Sequence, residues 1–206
     1  MTSLLDEPKD RRRRRTRAAI LAAASDLFAR DGFRATSVEA IAARADIALT
    51  SLYGNFAEGK AEVYAVLAVA MARTHEERMQ ACIGELRGAE AVHAALTEYA
   101  RFHSDEPFAF RLLGLADVAD SEAKAVAQAR AEVGDGLARV VSQAISSIGG
   151  DPASTRSAVL LAWGGINGVL ALGYRGLVDR VVAEELVAAA VELHVREIST
   201  LVGGRP

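Results

Sequence analysis

Cysteine is nearly missing from this chain: Cys82 is the only one in 206 residues. One thiol closes no internal disulfide, and no Cys-x-x-Cys or Cys/His cluster offers zinc-site spacing. A reducing, cytoplasmic setting is the expectation. Proline is scarce as well, confined to positions 8, 107, 152 and 206. Alternating strand patterns of useful length and internal repeats are both lacking. The charged N-terminus has no apolar stretch behind it, so no secretory leader is expected. One uncharged run, 157–174, is barely long enough to span a bilayer, but it holds Asn167 and four glycines and reads as a buried helix.

Catalytic signatures are absent in the same way. The four histidines (75, 93, 103 and 194) are scattered. His75-Glu76-Glu77-Arg78-Met79 nearly matches a zinc-protease helix, but Met79 stands where the second His belongs. Gly134-Asp135-Gly136 follows no strand, and there is no Gly-x-Ser-x-Gly elbow. No catalytic residue, metal or cofactor is therefore expected, and an enzyme of the helical-bundle type is disfavoured.

What fills the chain is alanine, leucine, valine and arginine, a helix-forming mixture. Half of it is hydrophobic (51%), enough for a sizeable core, and the net charge is only −3. The charge is unevenly placed. Residues 1–60 carry eleven Lys/Arg against eight acids, so they stand at +3 and the remainder at −6. A basic front on an acidic body suits a polyanion-binding module.

The periodicity predicts an all-α protein of about nine helices. The first covers 13–30, with Ile20, Ala24, Leu27 and Phe28 on one face and Gly32 as a left-handed cap. The second opens at Thr36, with Glu39 completing a capping box, and stops near Ala45. Asp46 occupies a turn that tolerates positive φ. A third short helix covers 49–56 with Leu49, Leu52 and Phe56 inward. Longer helices follow at 58–79, 89–104, 107–118, 121–148, 152–174 and 183–201, the seventh with a possible kink at Gly134-Asp135-Gly136. Asp151-Pro152 is a strong helix start.

Two short helices joined by a tight turn make a helix-turn-helix unit, in which the first braces the second for the DNA major groove. Thr50, Ser51, Tyr53 and Gly54 face outward or sideways and are the candidates for touching bases. Thr36 and Ser37 open a helix whose first N–H groups suit a phosphate, and Arg44, Asn55 and Lys60 are candidates for neighbouring phosphates. Arg11 to Arg15 form a basic arm, with Arg15 a further candidate contact.

At this point residues 16–64 resemble the DNA-binding domain of the TetR family of repressors. The matching residues are Ile20-Leu21-Ala22-Ala23-Ala24, Leu27-Phe28, Asp31-Gly32-Phe33, Ala35-Thr36-Ser37-Val38, Ile41-Ala42, Ala45, Leu52-Tyr53, Phe56 and Gly59-Lys60. Downstream, Tyr99-Ala100-Arg101-Phe102, Glu106-Pro107, Phe110-Arg111-Leu112-Leu113 and Trp163 to Gly168 are similar to one C-terminal subclass that reads Trp-x-x-x-His-Gly. Asp46, Ala48, Leu49, Gly54, Asn55 and Asn167 depart from the family's usual residues. The recognition helix thus has no basic side chain, and bidentate Arg-to-guanine readout is not available from it.

The resemblance implies a one-component regulator, a repressor, that binds a palindromic operator as a homodimer and is released by a small, mainly apolar effector. The expected organisation is a disordered basic arm (1–12), a helix-turn-helix domain (13–57) and a ligand-binding and dimerisation domain (58–206). Phe102, His103, Phe110, Arg111, Trp163 and Asn167 are the candidates for lining the ligand pocket. Leu170, Val187, Val191, His194 and Ile198 are the candidates for the dimer interface, through the last two helices. The alternative is a constitutive DNA-binding architectural protein without a ligand. A membrane partner is not expected.

Overall fold

The structure, a computed structural model, describes residues 4–202. The first three residues of the expected arm and residues 203–206 of the expected C-terminal domain lie outside the described residues. Among the described residues there are nine α-helices, one short 3-10 turn at Asp120–Glu122, and no strand. The helices are α1 (Arg11–Asp31), α2 (Val38–Arg44), α3 (Leu49–Asn55), α4 (Lys60–Ile83), α5 (Gly88–Asp105), α6 (Ala109–Gly114), α7 (Lys124–Ile148), α8 (Pro152–Tyr174) and α9 (Arg180–Val202).

They form two compact units. One comprises the chain up to Thr74 together with Glu106–Gly136; the other comprises His75–Asp105 and the chain from Leu137 onward. The boundary falls inside α4 and α7, so a single cut at residue 57 does not separate them.

In the first unit α1, α2 and α3 pack on one another around Ile20, Leu27, Phe28, Phe33, Ile41, Leu52 and Phe56. Phe28, Phe33 and Tyr64 meet with ring centroids 5.1–5.5 Å apart. The Tyr64 hydroxyl donates to Asp117 Oδ2 at 2.9 Å, and burial with that carboxylate pushes its pKa far above the ordinary phenol range. α1 starts two residues before the expected position because Asp10 accepts from the Arg13 amide at 2.7 Å and caps it. Arg11 and Arg12, expected in a disordered arm, are therefore helical.

The local signals have mixed outcomes. Gly32 does take positive φ (84°), though with an extended ψ, and its amide reaches the Phe28 carbonyl. Asp46 sits at φ 53°, as its place in the turn required. The cap of α2 is Ser37 and not Thr36: the Ser37 hydroxyl accepts from the Ala40 amide at 3.0 Å, whereas the Thr36 hydroxyl turns back onto the Gly32 carbonyl at 2.8 Å. α7 passes through Gly134 and Gly136 without a break. Its N-terminus is held by a residue far away in sequence: the Glu58 carboxylate accepts from the amides of Lys124 and Ala125, both at 2.9 Å.

The second unit is built from α5, α8 and α9 with parts of α4 and α7. Asp151 caps α8 by accepting from the Ser154 amide at 2.9 Å, with Pro152 in the first turn. α8 and α9 approach closely where side chains are missing. A Cβ on Gly165 would fall 2.6 Å from His194 Nε2, and one on Gly173 would fall 3.0 Å from the Ala183 Cβ. Gly164 and Gly168, on the same helix, face open space instead.

Candidate nucleic-acid interface and cavity

Every atom of α3 that could meet a base is presented by a helix held on its other side. Leu52 and the adjoining Phe56 are fully buried and anchor it. Thr50, Ser51, Tyr53 and Gly54 are exposed, with Tyr53 47% accessible despite its ring. Leu49, expected inward, is 37% exposed, since a seven-residue helix has room for few inward positions. Basic residues of α1 tie down the C-terminal end: Arg13 donates to the Gly54 carbonyl at 2.9 Å, and Arg17 to the Asn55 carbonyl at 3.3 Å. Those carbonyls have no partner within a helix, and cations offset the negative end of its dipole. The Arg17 guanidinium also lies 4.4 Å over the Phe56 ring.

The candidate phosphate contacts divide into two groups. Arg15 and Ser37 are exposed, and Arg44 is exposed in a 2.8 Å surface pair with Asp26. Thr36, by contrast, is only 3% exposed. Asn55 is turned onto its own helix, its Nδ2 donating to the Ser51 carbonyl at 2.8 Å. Lys60 spends two N–H donors on the carbonyls of Phe33 (2.9 Å) and Thr36 (2.8 Å), with its ammonium 4.5 Å from the Phe33 ring centre. It pins the start of α4 to the turn before α2.

The second unit contains a cavity of about 60 Å³. It is lined by apolar side chains of α4, α5, α7, α8 and α9, among them Met79, Val92, Val140 and Ile198, and by His75, Tyr99 and Trp163. The polar atoms of two of these three are already used. Trp163 Nε1 donates to the Tyr99 hydroxyl at 2.9 Å, and that hydroxyl donates to Asn167 Oδ1 at 2.6 Å. His75 is 1% exposed, with neither ring nitrogen in a hydrogen bond. Desolvation pushes its pKa down to about 4.

Of the six residues expected in a pocket, only Trp163 lines this cavity. Asn167 acts one step back, orienting Tyr99. Phe102 and His103 are buried beside His75, with ring centroids 4.8 and 6.2 Å from it. Phe110 and Arg111 belong to the first unit, where Arg111 forms a two-pronged pair with Asp117 at 2.7 and 3.1 Å. His75 and Tyr99 were the residues sequence reasoning missed. They lie 24 positions apart, and nothing local relates them.

Comparison with known proteins bears on the first unit directly. Residues 20–67 match the family model described as bacterial regulatory proteins of the tetR family. That interval holds α2, α3, their turn and the anchoring residues Leu52 and Phe56. This chain carries the DNA-binding domain of the TetR family. Solved structures share the TetR-family fold over nearly the whole length. A TetR-family transcriptional regulator from Streptomyces coelicolor is 21% identical, with 90% of this chain and 96% of that one covered and a TM-score of 0.68. A putative TetR-family regulator from Mesorhizobium loti is 17% identical, with coverage of 91% and 98% and a TM-score of 0.68. The transcriptional regulator FadR from Bacillus subtilis, in complex with stearoyl-CoA, is 19% identical, with coverage of 86% and 97% and a TM-score of 0.63. No curated relative matches the sequence.

In this TetR-fold chain the expected dimer residues need correction. Val191 (8% exposed) and Ile198 (1%) belong to the core of their own protomer. Leu170 packs against that core, Val187 is half-buried, and His194 is pressed against Gly165. The outward face of α9 carries Leu186, Leu193 and Leu201, the last two more than half exposed. On α8 the outward face carries Leu161 (63% exposed), Gly164, Gly168 and Leu172. α8 is long and apolar enough to cross a membrane, yet only 22% of its most apolar window is buried within the chain. Where a buried helix was expected of the 157–174 run, burial is confined to one side, through Ala158, Val159, Ala162 and Ile166.

Proposed function

We propose that the protein is a one-component transcriptional repressor of the cytoplasm, working as a homodimer on a palindromic operator and released by a small, mainly apolar effector. The observation that carries the reading is α3. It is a short helix braced by buried Leu52 and Phe56 while Thr50, Ser51, Tyr53 and Gly54 stand exposed on it. A two-fold dimer would set two such helices about one DNA turn, roughly 34 Å, apart on successive major-groove faces.

Ligand response is supported by the cavity around His75, Tyr99 and Trp163, and by the acyl-CoA complex of a protein sharing this fold. A packed core would have no differential affinity to transmit. α4 runs unbroken from Lys60 to Ile83 and contributes to both units, so it is the element through which effector and DNA would be coupled. Each would then weaken the other's binding by the same factor.

The test is selection of bound sequences from random duplexes by the purified protein. The expected result is enrichment of an inverted repeat, bound with a steep inverse dependence on salt. Enrichment of nothing, with broad affinity for all duplexes, would leave an architectural DNA-binding protein instead. The cavity argues against that second reading.

A further inference from the structure

The cavity of the second unit has one property that its size and greasiness do not explain. Buried polar groups are normally paired, and leaving one unpaired costs stability. His75 breaks that rule at the cavity wall, since both of its ring nitrogens are shielded from water and lack a hydrogen-bonding partner. Its neighbours do not supply one. The Tyr99 hydroxyl is committed to Trp163 and Asn167, and the other contacts are the edges and faces of Phe102, Tyr99 and His103.

Charge is missing from the same wall: apart from the imidazole of His75, none of the described lining residues is ionisable near neutral pH, and none is Asp, Glu, Lys or Arg. The charged groups acting on His75 are Arg78 and Glu76, and both are engaged. Arg78 is held by Glu98 at 2.6 Å and Asp105 at 3.1 Å, and Glu76 by Arg139 at 2.6 Å. An ion entering the cavity would lose its hydration and find no counter-charge.

We propose that the cavity selects an uncharged, mainly apolar molecule carrying one hydroxyl or carbonyl oxygen, and that the His75 imidazole hydrogen-bonds to that oxygen. This rests on the ligand-responsive reading above and narrows it to a class of effector. A neutral imidazole has one N–H donor and one bare nitrogen, so it can serve a hydroxyl or a carbonyl but offers no cation to a carboxylate. Burial keeps the ring neutral at ordinary cellular pH, with the pKa near 4. Met79 in the wall has a flexible thioether chain that lets the cavity widen around a compact guest.

The experiment uses three probes of one shape: cyclohexanol, cyclohexanecarboxylate and cyclohexylammonium. Binding to the full-length protein at pH 7.5 is followed by Trp163 emission and by calorimetry. Trp163 is the only tryptophan and lines the cavity. Cyclohexanol is expected to bind saturably and at least tenfold more tightly than either ion. His75→Leu should remove an unpaired polar group without unfolding the chain, and should weaken cyclohexanol about tenfold. His75→Gln, which restores a donor and an acceptor, should recover most of the loss. Thermal melts check that both variants fold. Equal binding of the alcohol and the carboxylate, or cyclohexanol affinity unchanged in His75→Leu, would overturn the proposal while leaving a ligand-responsive repressor intact. Saturable binding by none of the probes would overturn it and remove this cavity from the sensor reading too.

Discussion

At the scale of single residues, the two buried histidines set an acid limit on stability. His75 and His103 both have pKa values pushed down to about 4, chiefly by desolvation, against an ordinary 6.5. Below about pH 6.5 the unfolded chain takes up protons that the folded protein refuses. Stability is therefore complete above that pH and is lost as pH falls toward 4, by on the order of 3 kcal/mol per histidine. Chemical denaturation between pH 7.5 and 4.5 should show this decline, and His75→Gln should remove about half of it. A flat profile would mean that the rings are hydrated in solution. Tyr53 is the other telling residue. Its ring is nearly half exposed on a helix whose inward positions are filled by Leu52 and Phe56. Tyr53→Ala should weaken binding to a selected operator by roughly tenfold and relax base preference, while the melting temperature changes little.

Helices are the scale at which the sequence was most readable, and the reasons are local. Asp151-Pro152 starts α8 and Asp46 takes positive φ because a cap or a turn needs only a few neighbouring residues. Contacts between distant segments left no such trace. The spacing of Thr36 and Glu39 points to Thr36 as the cap. The choice falls to Ser37 because Thr36 is packed inward against the Gly32 carbonyl. Lys60 looked like a phosphate ligand, yet the carbonyls of Phe33 and Thr36 claim it. Lys60→Ala should consequently lower the melting temperature, and not merely reduce the salt dependence of DNA binding. Glu58 is the clearest long-range case. Glu58→Ala would strip two α7 amides of their acceptor, at a cost of about 1 kcal/mol. In a chain of this size that is roughly 2–4 °C in melting temperature. An unchanged melt would show that water caps α7 equally well.

For the whole molecule, periodicity showed that α9 is apolar but not which of its two apolar faces meets its own core. Val191 and Ile198 recur at helical spacing, and so do Leu186 and Leu193. Only the packing of α5 and α8 on α9 assigns the first pair to the interior. The second pair is left outside together with Leu161, Gly164, Gly168 and Leu172 of α8. Exposed apolar area on that scale marks an association surface, and the glycines allow a second backbone to come close. A two-fold pairing through this face should bury more than about 1,000 Å². Glu at Val191 or Ile198 would place a charge in the protomer core and unfold it, so neither position can report on assembly. Leu161→Glu with Leu193→Glu is the informative variant, because both side chains are more than half exposed. It should melt like the parent protein, sediment as a monomer at micromolar concentration, and bind an inverted-repeat operator at least a hundredfold more weakly, since the second half-site no longer adds to the first. A folded double variant that remains dimeric would place the interface elsewhere. A monomeric variant with full operator affinity would show that dimerisation is not how this protein reaches its DNA.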